Sequence, residues 1–281
     1  MSQRKYVLIT GVSSGIGYES VGYLIERGFH VLGSVRKDAD LVRLNKAFPE
    51  HFTGLQFDVT QKDQVLTAYD KAAALVGKDG LAGIVNNAGM VQGGPIELIE
   101  EDKFRYQMEV NLFAVRTVTN IFLPLIKGDR EKNIPGGKII MISSISGVFN
   151  TPFNGAYCIS KHALESLAEV YRRELMMYNI DVVSIQPGPI QSDIWKKNIG
   201  KYSEYEGTDY EKLLHSTNRV MDKAQKDALP ASVISKLIHK ILTKKTKLAF
   251  IVNTDWIVTV ILIKYLPARW VDKIFYKKLF T

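Results

Sequence analysis

The chain has 281 residues, 46% of them hydrophobic, and a formal net charge of +8 from 37 basic and 29 acidic side chains. That size suits one α/β sheet with a large core, and scattered glycine and proline, without repeats or a linker, give a single domain over 1–281. One cysteine, Cys158, excludes an intrachain disulfide and a cysteine-built zinc site and favours a reducing cytoplasm, while the absence of a basic stripe with interleaved aromatics argues against nucleic acid.

The start "MSQRKYVLIT" enters a strand-like run without the apolar stretch and cleavage site of a signal peptide. From there short β-branched runs alternate with longer helical patterns. "YVLIT" precedes a helix over 15–28, "HVLGSV" one over 38–48, "LQFDV" one over 61–77, and "LAGIVN" one over about 102–127. "GKIIMIS" then leads to a helix over 155–178, and "IDVVSIQ" to a helix over about 231–245 and a last strand, "LAFIVN". This alternation predicts a doubly wound parallel sheet with helices on both faces, whose ligands bind beyond the carboxyl ends of the strands. Polar and glycine-rich groups fall at those ends: Thr10–Gly17, Asp58, Asn86–Gly89, Ser143–Ser144 and Pro187–Gly188.

In "TGVSSGIG", Gly11, Gly15 and Gly17 let backbone approach a phosphate, the following helix offers its N–H groups, and Ser13 and Ser14 add hydroxyls. A purely structural turn is the alternative. After the second strand, where an acid would bind the 2′-hydroxyl of NAD, stand Val35, Arg36 and Lys37, which favours NADP(H) over NAD(H). Asp58 would bond an adenine amino group or cap the next helix. Tyr157 and Lys161, four apart on a predicted helix, share a face, and a nearby ammonium is expected to lower the phenol pKa and make Tyr157 a general acid/base. Ser144 would hold a substrate oxygen. Asn111, in "MEVNLFA", either completes a proton path to Lys161 or kinks its helix.

These motifs, in this order, resemble the short-chain dehydrogenase/reductase family over nearly the whole chain. "TGVSSGIG" is similar to its glycine turn, "NNAG" at 86–89 to its fourth-strand motif, Ser144 with Tyr157 and Lys161 to its catalytic set, and "PGPIQS" at 187–192 to its segment beside the nicotinamide. The resemblance implies a Rossmann-like sheet of about seven strands and hydride transfer between a nicotinamide and a carbonyl or alcohol. It implies Ser144, Tyr157, Lys161 and Asn111 as catalytic residues, with Asn111 anchoring a water. The coenzyme site would comprise Gly11, Ser13, Ser14, Gly15, Ile16, Gly17, Arg36, Asp58, Val59, Asn87, Ala88, Gly89, Tyr157, Lys161, Pro187, Gly188, Ile190 and Ser192. No metal is implied. The helices around 102–127 and 155–178 commonly pair between subunits in the family, which implies a homodimer or homotetramer.

A softer resemblance, in "GFHVLGSVRK" and "IKYLPARWVDKIF", is to the retinol and 17β-hydroxysteroid dehydrogenase branch and its bacterial relatives, and it suggests a lipophilic substrate. The loop-rich region 189–229, with Ile194, Trp195, Tyr202, Tyr205 and Tyr210, would then be a lid, or would fill core or an interface. "WIVTVILI", near the end, falls short of the about 20 residues that span a bilayer. The segment 254–281 is expected as a helical extension closing over the core, with peripheral membrane contact as the alternative. A non-catalytic nucleotide sensor on the same fold is the rival to an enzyme, and the complete Ser144, Tyr157 and Lys161 set speaks against it.

Overall fold

The computed structural model describes residues 5–191, 203–253 and 265–280. Seven strands form one sheet: β1 (Tyr6–Ile9), β2 (His30–Val35), β3 (Phe52–Gln56), β4 (Leu81–Asn86), β5 (Lys138–Ile142), β6 (Asp181–Pro187) and β7 (Ala249–Val252). Their order is β3-β2-β1-β4-β5-β6-β7, and every pair is parallel. All carboxyl ends therefore reach one rim, and the strand order reverses between β1 and β4.

Strand side chains alternate between two cores. Leu8, Ile84, Ile139, Met141 and Val182 face one layer, in which α3 (Lys62–Val76) contributes Val65, Ala68 and Ala72. The same layer takes Val115, Val118 and Phe122 from α5 (Ala114–Phe122), which continues α4 (Glu101–Met108), and Leu164 and Ala168 from α6 (Gly155–Glu174). Val7, Ile9, Val31, Val85, Ile140, Ile142 and Val183 face the other. There α1 (Gly15–Ile25) and α2 (Asp38–Ala47) supply Val21, Leu24 and Leu44, and a helix at Ser232–Thr243 supplies Ile234, Ile238 and Ile241. Each such fully buried aliphatic side chain stabilises the fold by about 1.5–3 kcal/mol relative to exposure.

Four segments depart from expectation. β3 begins at Phe52 rather than Leu55, because Val31–Val35 of β2 pairs in register with Phe52–Gln56. The helix expected over 102–127 is interrupted by a π turn at Glu109–Phe113 and ends in a 3₁₀ turn at Leu123–Leu125, beside Pro124, which has no amide hydrogen to give. Among its described residues the region 189–229 holds a helix, α7 (Glu211–Lys226), so the helix at Ser232–Thr243 is α8. Last, of the segment 254–281 expected to close over the core, the described helix is α9 (Ala268–Phe280), which packs against α7, its best-covered described side chains, Val271 and Phe275, being half-buried. Among the described residues no helix is long and apolar enough to cross a membrane.

One side chain ties the sheet together where its order reverses. The Thr10 hydroxyl accepts from the backbone N–H groups of Asn87 and Ala88, both at 3.0 Å, and the Asn87 amide donates to the carbonyls of Thr10 and Gly11, both at 2.9 Å. Thr10→Val keeps the shape and orphans two backbone donors, so it should lower unfolding free energy by about 2 kcal/mol, read from urea denaturation midpoints at unchanged slope.

Candidate active site

The glycine turn leaves β1 at positive φ, +71° at Gly11 and +59° at Gly15, conformations that side chains with a Cβ resist. Space adds a second demand. A Cβ on Gly11 would lie 2.9 Å from the Ala88 Cα, and one on Gly17 would overlap the Gly11 carbonyl and the Asn87 amide. Ser14 is extended and α1 starts at the next residue, so the N–H groups of its first turn have no partner within the helix. This is a cradle of backbone donors at a helix N-terminus, and it fits a phosphate better than any side chain. Ser34 fastens the turn, its hydroxyl accepting from Gly11 N–H at 3.0 Å, and the Arg43 guanidinium donates to the Ser13 carbonyl at 2.6 Å. Neither Ser34 nor Arg43 is marked out by the sequence pattern.

Beyond β2 and β3, Arg36 and Asp58 meet, with 3.9 Å between guanidinium and carboxylate. The Arg36 side chain is 65% exposed, and so exposed a pair holds it only weakly. Asp58 does not cap α3. One oxygen accepts from the Thr60 N–H at 2.9 Å and the Thr60 hydroxyl at 2.8 Å, leaving the other toward Arg36. Val59 and Ile190 are buried in the two cores, so any role for them at the rim passes through their backbone. Ile16 packs partly against the core, and Gly89 stands beside Asn111 and Lys161, where an added Cβ would lie 3.3 Å from Asn111 Oδ1 and 3.9 Å from Lys161 Nζ.

Ser144, Tyr157 and Lys161 come together at the end of β5 and the start of α6. Tyr157 is buried and shares a hydrogen bond with Ser144, whose oxygen also accepts from the Ser146 N–H at 3.1 Å. The Ser144 hydroxyl lies 3.5 Å from the Pro187 carbonyl at the end of β6. Lys161 is buried too. Its ammonium donates to the Ile142 carbonyl at 2.9 Å and lies 5.6 Å from the Tyr157 ring centroid. The expected lowering of the phenol pKa is not what these surroundings produce. Burial pushes Tyr157 up to about 12, with the Ser144 hydrogen bond pulling the other way, and burial pushes Lys161 down to about 8. Desolvation is the largest cause for both, because both groups leave water together. Tyr157 is a neutral phenol at pH 7.

Behind Lys161 lies a residue that the sequence did not single out. Glu165, one helical turn on, draws the Lys161 pKa upward against burial, and its carboxylate accepts from the Ser184 hydroxyl of β6 at 2.5 Å. Asn111 sits buried in the π turn, accepting from Met90 N–H at 2.9 Å and donating to the Met90 carbonyl and the Ser160 hydroxyl, both at 3.0 Å. Its side chain therefore fastens the loop after β4 to α6.

The Gly188 N–H donates to the Val252 carbonyl at 2.8 Å, placing the Pro187–Gly188 segment at the same rim, while Ser192, Ile194, Trp195 and Tyr202 lie outside the described residues. Of the expected lid aromatics, Tyr205 is buried against Gly94, where φ is +140° and a Cβ would overlap its hydroxyl. Tyr210 donates to Glu97 at 2.7 Å and its ring meets Phe153 edge-on at 6.0 Å between centroids. The segment after residue 203 is thereby fastened to the loop after β4 and to the entry of α6.

Residues 5–202 match the family model of the short chain dehydrogenases. The chain is 37% identical over 276 residues to an NADPH-dependent 3-dehydrocapnine reductase of Ornithobacterium rhinotracheale, covering 98% of this chain and 97% of that one. It is 28% identical over 289 residues to a mouse retinol dehydrogenase, retinol dehydrogenase 16, covering 98% and 88%. Among solved structures, a short-chain dehydrogenase from Streptomyces avermitilis superposes with a TM-score of 0.76 at 23% identity, covering 99% of this chain and 97% of that one. The chain belongs to the short-chain dehydrogenase/reductase family, an oxidoreductase family that binds NAD(P), and is related to its retinol dehydrogenase branch.

Proposed function

We propose that this protein is an NADPH-dependent reductase that converts a ketone of a lipophilic substrate into a secondary alcohol, with Tyr157 as proton donor. The observation that carries the reading is the buried Tyr157 hydroxyl, hydrogen-bonded to Ser144 beside the buried Lys161 ammonium. When bound, the nicotinamide supplies the hydride. A neutral phenol is the protonation state that a carbonyl under reduction needs, and its high pKa keeps the proton in place until negative charge develops on the substrate oxygen. Ser144 holds that oxygen by a hydrogen bond that strengthens as the charge grows. Lys161 supplies positive charge near the phenol and a donor for a coenzyme hydroxyl, and Asn111 fixes the loop and helix between which protons return from solvent.

Gly11, Ser13, Ser14, Gly15, Ile16 and Gly17 would hold the phosphates, and Asn87, Ala88, Gly89, Pro187, Gly188 and Ile190 would offer backbone to the coenzyme. Arg36 would take a 2′-phosphate in place of its weak pairing with Asp58, which supports NADP(H), as does the NADPH dependence in the name of the 37% identical reductase. That relative makes 3-dehydrocapnine the first ketone to assay. We also infer self-association through the α4–α5 and α6 faces, where Tyr106, Phe113, Ile159 and Val170 are exposed, and a cytoplasmic location, consistent with the buried free thiol of Cys158.

Tyr157→Phe should lower kcat at least about 100-fold while NADPH still quenches protein fluorescence on binding; turnover close to wild type would end the catalytic assignment. Arg36→Asp should lower the ratio of kcat/KM with NADPH to that with NADH at least about tenfold, the worth of one charge-assisted hydrogen bond. The Lys161 ammonium, with its pKa near 8, is neutralised as pH rises through that value, so reductive kcat/KM should fall on the alkaline side. Glu165→Gln removes the charge that opposes this loss and should move the Lys161 titration below its wild-type position, followed by NMR of 13C-labelled lysine side chains.

A further inference from the structure

The last helix carries a surface that neither the fold nor the reaction uses. At 3.6 residues per turn, residues four apart share a stripe, and α9 sorts its side chains into such pairs. Val271 and Phe275 are half-buried on the side that packs toward α7. Trp270 and Ile274, at 63% and 52% exposure, form a second stripe, and Arg269 and Lys273, both exposed, a third between the apolar stripe and solvent. Tyr265, ahead of the helix, is 77% exposed. The one carboxylate in the described part of α9 is Asp272.

A tryptophan, an isoleucine and a tyrosine left in water beside two cations make a poor solvent-facing surface. They match a lipid headgroup region, where indole and phenol rings sit at the boundary, aliphatic side chains reach the acyl layer, and lysine and arginine stems extend back to anionic phosphates. The charge of the whole chain points the same way, with +8 overall and basic runs "KILTKKTK" and "FYKKLF" on either side of the apolar run "WIVTVILI". A partner protein would have to offer an apolar groove and a row of carboxylates beside it. A bilayer accounts for both.

We propose that α9 docks this protein on the surface of an anionic membrane through Trp270, Ile274, Arg269 and Lys273. Docking by this helix brings α7, and with it the segment that Tyr205 and Tyr210 fasten over the loop after β4, close to the lipid. A lipophilic substrate then reaches the site without crossing water. Because α9 lies outside the reaction machinery, the docking can be tested without the catalytic assignment.

The experiment is flotation of the full-length protein with vesicles of phosphatidylcholine alone and of equal parts phosphatidylcholine and phosphatidylglycerol, at low and high salt. Wild type should float with the anionic vesicles, should release at high salt, and should not float with the neutral ones. Trp270→Ser with Ile274→Ser, and separately Arg269→Glu with Lys273→Glu, should each lower partitioning at least about tenfold, with the melting midpoint and NADPH binding unchanged. Equal flotation on both vesicle types, or wild-type flotation by both double variants, would overturn the proposal. So would a change from dimer to monomer in the apolar variant without a change in flotation, which would make the stripe a self-association face.

Discussion

The close approach of two loops at the reversal of strand order is the constraint from which the rest of the site follows. β1 and β4 are neighbours in the sheet although Thr10 and Val85 stand 75 positions apart in sequence. Their ends touch so closely that Gly11 has no room for a Cβ against Ala88. Contact of that kind must be held in register, and the Thr10 hydroxyl and Asn87 amide do so with four short hydrogen bonds to backbone. The first turn of α1 is thereby fixed relative to β4. A phosphate cradle made of backbone donors works only if those donors need no rearrangement when the anion arrives, since each side chain ordered on binding costs about 0.5–1.5 kcal/mol.

On the other side of the reversal, burial sets the chemistry. α6 starts against the end of β5 and brings Tyr157, Lys161 and Glu165 in at successive turns of one stripe. The first two are stripped of water, and this moves their pKa values apart, up to about 12 for Tyr157 and down to about 8 for Lys161, leaving each in the state it has at neutral pH in water but further from change in the one and nearer to it in the other. Lys161 is poised and Tyr157 is locked. A cation so placed must find compensation, and it finds a carbonyl from β5 and a more distant carboxylate that β6 holds through Ser184. β5 and β6 thus both help to keep one charge inside.

Much of this was legible because it rests on local rules. Glycine at a strand-to-helix turn, a four-residue spacing on a helix and near-continuous apolar strands all carry their geometry in adjacent letters, so the sheet, the cradle and the Tyr157–Lys161 pair followed from the sequence. What did not follow depends on partners distant in the chain. The start of β3 is chosen by its register with β2, Glu165 matters because Ser184 lies opposite, and Arg43 reaches Ser13 across 30 positions. The direction of the phenol pKa depends on distant partners in the same way. Spacing shows that an ammonium is near, but only the packed structure shows how completely both groups are buried.

The two halves of the rim are also held by different kinds of force. The side of the glycine turn is fixed by backbone hydrogen bonds and by glycines that leave no room for a Cβ. The covering segment after residue 203 is fixed by side chains: Tyr205 fitting against Gly94, Tyr210 on Glu97 and Phe153, and Lys103 on Glu204. The last two contacts are exposed, where salt and water weaken them, whereas Tyr205 is buried, as are Leu214 and Ala228 further along the segment. The loop after β4 is thus held by backbone hydrogen bonds at Asn87 and Ala88 and by side-chain packing at Gly94 and Glu97.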